Sequence, residues 1–346
     1  MNRFAKYLGD IERMTKESTD GTRNYIHPAL KNLGVVTLVL LREAIAPVVF
    51  RNLEQEITDI DIHGEAYVRA TPNKFKYPER GRGLQLLRAY QVGGRMPQNK
   101  TAIVKGRPVS DAFDLNTLVF GDSAVQSNRV LSVKAAVSYS DGLSLQPRYL
   151  CVDSSFHNRI MEENTRSDVL DRKNSDPLFT RHFIKPGTLL VQILSTRGRL
   201  LPAEGVDHLL LCLGQGGTYG GQTSLTGVNV RTHLVGIYAS RFEHFITSPY
   251  ELVKAIGKID GLALDNPTMV SHALHTLVAP EHETVMEGTT AQAYLNTLLD
   301  RFEADDKHLK AQYQYTASKV AFLFNQWFGS GTPIERGRKT LEEDVG

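Results

Sequence analysis

The residues with the clearest chemical potential in this chain are glycines. Gly214-Gln-Gly-Gly-Thr-Tyr-Gly-Gly-Gln-Thr-Ser-Leu-Thr-Gly227 is a loop whose side-chain-free positions let the backbone approach a ligand closely and turn consecutive N–H groups toward phosphate oxygens. Gly216, Gly217, Thr218, Gly220 and Gly221 supply that backbone. Tyr219 at the centre suits stacking on a base, and Gln222, Thr223 and Ser224 offer neutral hydrogen bonds to a sugar–phosphate strand. Two nucleotide motifs do not fit. A dinucleotide fingerprint needs a third glycine where Tyr219 stands, and it follows a strand and opens a helix. A P-loop would have Gly216, Gly221 and Thr223 in place, but Gln222 replaces the lysine that neutralises the β and γ phosphates. The plainer alternative is a flexible connection without a ligand.

A second feature is electrostatic. Ten basic residues lie between Arg69 and Arg107, among them Lys74, Lys76, Arg80, Arg82, Arg88, Arg95 and Lys100, with Glu79 the one acid. The segment carries +9 in a chain whose formal net charge is +2, so the rest carries −7. A basic block opposite an acidic body fits a polyanionic partner, because each Lys or Arg meeting a phosphate releases a condensed counterion. A solvated charged loop is the competing explanation.

Catalytic constellations are weak. Gly121-Asp-Ser-Ala-Val125 lacks the closing glycine of a nucleophile elbow. Asp59 and Asp61 flank Ile60, and on a strand both point to one face, where they would suit a divalent ion or simply face solvent. His272 and His275 share a helical spacing with His282 downstream, but a metal site needs a better-defined third ligand.

Apolar periodicity supplies the scaffold. Val35 to Leu41 is a β-branched run read as a buried strand; Ile60 to Val68 forms a second strand region; Val130 to Tyr139 alternates; Thr188 to Leu194 leaves a Pro186-Gly187 turn as a strand. Leu84, Leu87 and Tyr90 have helical spacing inside the basic block. Val206, Leu209, Leu210 and Leu213, bracketed by Pro202 and Gly214, predict a helix, although Leu209 to Leu213 alone would also suit a strand. Val228, Val230, Thr232 and Leu234 predict a strand after the glycine loop, and Thr290 to Phe328 predicts two helices. Beyond Gly329 a polar tail, 329–346, is expected to fray. Strands and helices without a strict alternation indicate an α+β core.

The bulk numbers agree with a globular chain: 41% of the 346 residues are hydrophobic and 23% charged. Cys151 and Cys212 each sit among apolar neighbours, as buried free thiols of a reducing compartment. The N-terminus has no secretory apolar core, and no stretch approaches a membrane span. A cytoplasmic protein without a membrane partner is expected.

Three segments together resemble the backbone subunits of CRISPR effector complexes within the repeat-associated mysterious protein superfamily, and among them the type I-D Cascade backbone subunits. They are Asp114-Leu-Asn-Thr-Leu-Val-Phe-Gly-Asp-Ser-Ala124, Phe179-Thr-Arg-His-Phe-Ile-Lys-Pro-Gly-Thr188 and the loop from Gly214 to Gly227. The likeness spans Val35 to Ser248. It implies a single domain over 1–346, an RNA-recognition-motif-like (ferredoxin-like) palm with inserted fingers and thumb, the basic block being an insertion at about 69–107 and the thumb another at about 150–177. It further implies a non-catalytic subunit of antiviral defence, without a cofactor, that polymerises along a CRISPR RNA as a helical filament. Partners would be that RNA, a target DNA or RNA strand, further copies and other Cascade subunits. In the thumb, Phe156 and Met161 would wedge between guide bases, with Arg159 and Arg166 nearby; a plain surface insertion is the alternative. The chain departs from the pattern twice. Interleaved stacking aromatics are missing, and no aspartate follows Leu41 before Asp59, which weakens backbone-mediated cleavage. A metal-dependent ruler nuclease using Asp59 or Asp61, and a CRISPR-RNA-processing endonuclease, remain the competing activities.

Overall fold

The computed structural model describes residues 1–15, 33–50, 57–94, 108–126, 129–157, 179–220 and 227–328, together with the backbone of 17–20, 23–26 and 102–103. Eight strands form the main sheet: β1 (Val35–Ala44), β2 (Asp59–Ile62), β3 (Glu65–Ala70), β4 (Val137–Tyr139), β5 (Gly142–Pro147), β6 (Leu189–Thr196), β7 (Val230–Ser240) and β8 (Thr284–Glu287). Across the sheet the order is β8-β7-β1-β6-β5-β3-β2, with β4 pairing the far end of β6. Every pairing is antiparallel.

Both faces of this sheet are covered, which is why its central strand reads as an unbroken apolar run. Along β1, Val36, Leu38 and Leu40 enter one hydrophobic cluster while Val39 and Leu41 enter another. The first cluster takes in the helices α1 (Asn73–Ala89), α2 (Leu115–Phe120), α3 (Ala203–Gly214), α6 (Gly288–Glu303) and α7 (Lys307–Phe328), and between α3 and α6 the chain forms α4 (Pro249–Ile256) and α5 (Pro267–Val278). The last two pack on the opposite face through Leu252, Val253, Val270, Leu274 and Val278. The elements β1, α1, β5, β6, α3 and β7 therefore run β-α-β-β-α-β, their strands lying side by side as β7-β1-β6-β5.

Local chemistry fixes several boundaries. Asp114 caps α2 in a capping box with Thr117, so the leading aspartate of the first resemblance segment is a helix cap that also accepts from the Gly94 N–H at 2.8 Å. Asn266 caps α5, with Pro267 at its first position. Leu209 to Leu213 belongs to helix α3 and not to a strand.

Of the basic block, expected as an insertion at about 69–107, the described residues pack into the main body: Arg69 lies in β3, and Asn73–Ala89 is a core-packed helix whose Phe75, Leu86 and Leu87 are fully buried. Val130 to Tyr139 is not one strand. Arg129–Val133 joins a separate small sheet with Asp122–Gln126 and Ala102–Ile103, while β4 joins the main one. The chain breaks between them because the Ala136 N–H turns to the Leu118 carbonyl of α2. In the region expected as a thumb, Val152–His157 pairs with Phe179–Ile184. Among the described residues no helix is long and apolar enough to cross a membrane.

Candidate functional site

Helix α1 organises the site because its two faces have opposite tasks. Phe75, Glu79 and Gly83, four residues apart, form a stripe turned into the protein, while Asn73 and Tyr77 face outward with Lys74, Lys76 and Arg80 at the margins. Glu79 is thus a carboxylate in a core stripe, and a buried charge persists only when paired.

Its partner comes from β1. By strand alternation Arg42 points to the same side as Leu38 and Leu40, into the helical layer. Its Nη2 lies 2.8 Å from Glu79 Oε1, and both side chains are completely buried. The guanidinium also donates to Gln192 Oε1 from Nε at 3.1 Å and from Nη2 at 2.9 Å, to Thr232 Oγ1 at 2.7 Å and to the Tyr219 hydroxyl at 3.4 Å. The hydroxyls of Tyr219 and Tyr139 donate to the two oxygens of Glu79 at 2.9 and 2.7 Å. Burial, and then the neighbouring Glu79 carboxylate, push both phenols well above their ordinary value, so they stay neutral donors. Burial, the largest single influence, would lower the Arg42 guanidinium, but the charge and hydrogen bond of Glu79 together with the neighbouring Tyr219 and Tyr139 hold it raised. One ion pair thereby ties α1, β1, β6, β7 and the glycine loop together.

The loop is pinned at its described end. Asn229 forms two hydrogen bonds with the Tyr219 backbone, both 2.8 Å, the Gly217 carbonyl accepts from the Asn229 and Val230 N–H groups, and the Thr218 hydroxyl donates to the Gly227 carbonyl at 2.8 Å. Gly220 has φ +89°, and a Cβ there would stand 2.5 Å from the Val49 carbonyl oxygen. Only glycine fits both constraints.

These two elements meet at an open cleft of about 620 Å³ lined by Asn73, Lys74, Lys76, Tyr77, Pro78, Arg80, Phe120 and Gly220. No lining residue is acidic. Arg80 is held from beside the cleft by Asp122 at 2.6 Å, and among the described residues Lys76 has no acidic partner. Partial burial lowers the Lys76 pKa, and repulsion from Arg80 and Arg197 lowers it further. Three cations gathered beside a glycine backbone make a site that a polyanion relieves.

Of the expected site residues, Lys74, Lys76, Arg80 and Gly220 share this cleft. Arg69, Arg82 and Arg88 do not: Arg69 pairs with Asp141 at 2.9 Å, Arg82 donates to Gln85 at 2.9 Å, and Arg88 reaches the Gly94 carbonyl at the other end of α1. Tyr219 is corrected outright. Its ring is 1% exposed and packs on Phe75 at 5.5 Å, so it offers no face to a base. The Gly216 N–H bonds back to the Cys212 and Leu213 carbonyls of the last turn of α3, and Gly217 is tied to Asn229. Phe156 is 72% exposed. Arg95, Lys100, Met161, Arg159, Arg166, Gly221, Gln222, Thr223 and Ser224 lie outside the described residues.

The weaker constellations resolve into local bonds. Asp59 pairs with Arg148 at 3.1 Å, and Asp61 accepts from the Gly64 N–H in the β2–β3 turn. His275 Nδ1 bonds the Tyr238 hydroxyl at 2.9 Å, and His282 Nδ1 bonds the Val278 carbonyl. Among the described residues no three His, Cys, Asp or Glu side chains are grouped to hold a metal.

The sequence reading missed Arg42, Glu79 and Tyr77, although signals for the first two were present. Arg42 falls on the Leu38–Leu40 alternation, and Glu79 falls four residues after Phe75 on the same helical face.

No family model matches the sequence, and no curated protein does. Solved structures do. The crystal structure of Thermofilum pendens Csc2 superposes with a TM-score of 0.59 at 15% identity over 96% of this chain and 97% of that one. A CRISPR RNA-guided surveillance complex gives 0.46 at 11% identity over 72% and 86% of the two chains, and a type IV-B CRISPR complex gives 0.39 at 15% over 57% and 89%. The Csc2 likeness covers nearly the whole of both chains and is a likeness of fold.

Proposed function

We propose that the chain, sharing its fold with Csc2, is a CRISPR-RNA-binding backbone subunit of a type I-D Cascade complex. The observation that carries this reading is the cleft in which Lys74, Lys76 and Arg80 of α1 meet Gly220 of the glycine loop. It matches in position the two features expected from the sequence to grip a polyanion. The β-α-β-β-α-β order with strands β7-β1-β6-β5 supports an RNA-recognition-motif-like palm, and the exposed Phe156 strand pair supports a projecting thumb. In this role the protein contacts guide phosphates and leaves sequence readout to base pairing with the target strand. Several copies along one guide would form the filament, with other Cascade subunits at its ends. The role is non-catalytic, so a paired target strand stays intact in the presence of Mg²⁺.

The test is the salt dependence of binding to single-stranded RNA. Replacing Lys74, Lys76 and Arg80 by Gln flattens the slope of log affinity against log salt by about 0.7 per lost phosphate contact, whereas Arg82→Gln, on the same helix but outside the cleft, leaves it nearly unchanged. Equal slopes for the triple variant and wild type reject the cleft as the RNA site.

A further inference from the structure

The cleft contains one residue that charge does not explain. Tyr77 is 74% exposed, while the neighbouring aromatics Phe75, Phe120 and Tyr219 are 0%, 2% and 1% exposed. It therefore contributes little to the core. On α1 it is flanked on the same face by Asn73 at i−4 and Arg80 at i+3, with Lys74 and Lys76 beside it, and all five line the cleft. Resting on the RNA-binding reading, we infer that Tyr77 is a stacking platform for a base of the bound strand, while Lys76 and Arg80 hold the adjoining phosphates.

An aromatic plane set between cations matches the repeat of a single nucleic-acid strand, in which a π-face follows each phosphate. An acidic or phosphorylated peptide would use the cations and leave the ring unemployed. Asn73 is the one side-chain amide of the lining, and in this arrangement the cations are engaged by phosphates and not by base edges. Stacking on Tyr77 is accordingly tolerant of base identity, because every base presents a π-face.

The experiment compares wild-type full-length protein with Tyr77→Ala, Tyr77→Phe and Tyr77→Trp. Two probes are used: a single-stranded RNA and the same ribose–phosphate strand made of abasic residues. Tyr77→Ala weakens RNA binding about tenfold with an unchanged salt slope, since no phosphate contact is lost, and Phe and Trp restore it. On the abasic strand Tyr77→Ala makes no difference. An equal loss on both strands, a changed slope, or no loss on RNA overturns the platform. Altered self-association with RNA affinity intact also overturns it, by making Tyr77 a protein contact. Because the side chain is mostly exposed, an unchanged thermal midpoint shows that the variants are folded. If the lysine and arginine variants of the cleft leave RNA affinity and slope untouched, the RNA-binding reading fails and the platform with it. If only the Tyr77 variants are silent, the platform alone fails.

Discussion

Arg42 and Glu79 lie 2.8 Å apart with no exposed surface on either side chain, one on the central strand and the other in the core stripe of the helix that carries the basic cleft. Removing one partner strands the other charge in the interior, which costs about 3–5 kcal/mol. Arg42→Met and Glu79→Leu each lower the unfolding free energy by that amount in urea titrations. Arg42→Met/Glu79→Leu together recovers at least half of the loss, because no isolated charge then remains. Additive losses in the double variant contradict this account.

Tyr219→Phe separates a structural role from an RNA-contacting one. The hydroxyl donates to a buried carboxylate, and loss of such a charge-assisted bond costs about 2 kcal/mol. Urea titration shows that loss while RNA affinity stays at the wild-type value. A fall in RNA affinity without a fall in stability reverses the assignment.

The helical layer has an opposed pair of titrating neighbours. His208 is buried; its Nε2–H donates to Asn116 Oδ1 at 3.1 Å, and its Nδ1 accepts from the Tyr313 hydroxyl at 3.0 Å. Burial pushes its pKa down to about 3. The unfolded chain, near 6.5, binds the proton more readily. His208 therefore contributes fully above pH 6.5, and stability falls by about 1.4 kcal/mol per pH unit as pH drops toward 3. Asp207 acts in reverse. Burial raises it to about 6 against the opposing hydrogen bond from Tyr294, so its contribution is full below about 3.8 and is lost as pH rises through 6. Between pH 4 and 6 the two slopes offset. His208→Gln makes stability rise on acidification relative to wild type, and Asp207→Asn makes it fall more steeply. Urea midpoints measured at intervals across this range decide the matter, and parallel curves for all three proteins refute it.

Gly220→Ala introduces two faults together, a Cβ at φ +89° and a 2.5 Å approach to the Val49 carbonyl oxygen. The expected loss is about 1–3 kcal/mol, accompanied by weaker RNA binding because Gly220 forms the wall of the cleft. Gly227→Ala, with φ +102° but open space around it, loses stability through backbone strain alone and leaves the cleft intact.

Much of the scaffold was written locally. Val35 to Leu41, Thr188 to Leu194 and the Pro202–Gly214 helix follow from periodicity and from turn and cap residues a few positions away, because those forces act within one element. The charge of α1 was equally visible, since counting needs no coordinates. The fate of Tyr219 was not. A tyrosine in a glycine loop has the same sequence signature whether its ring meets solvent or core, and it turns inward here because Glu79, 140 positions distant, needs a donor. The cleft likewise exists only because Arg42 draws the inner face of α1 onto the sheet and leaves Lys74, Lys76, Tyr77 and Arg80 on its outer margin beside Gly220. Sequence determined which residues carry charge and which elements they form; tertiary structure decided which of them face one another, because burial and pairing depend on distances that only the folded chain closes.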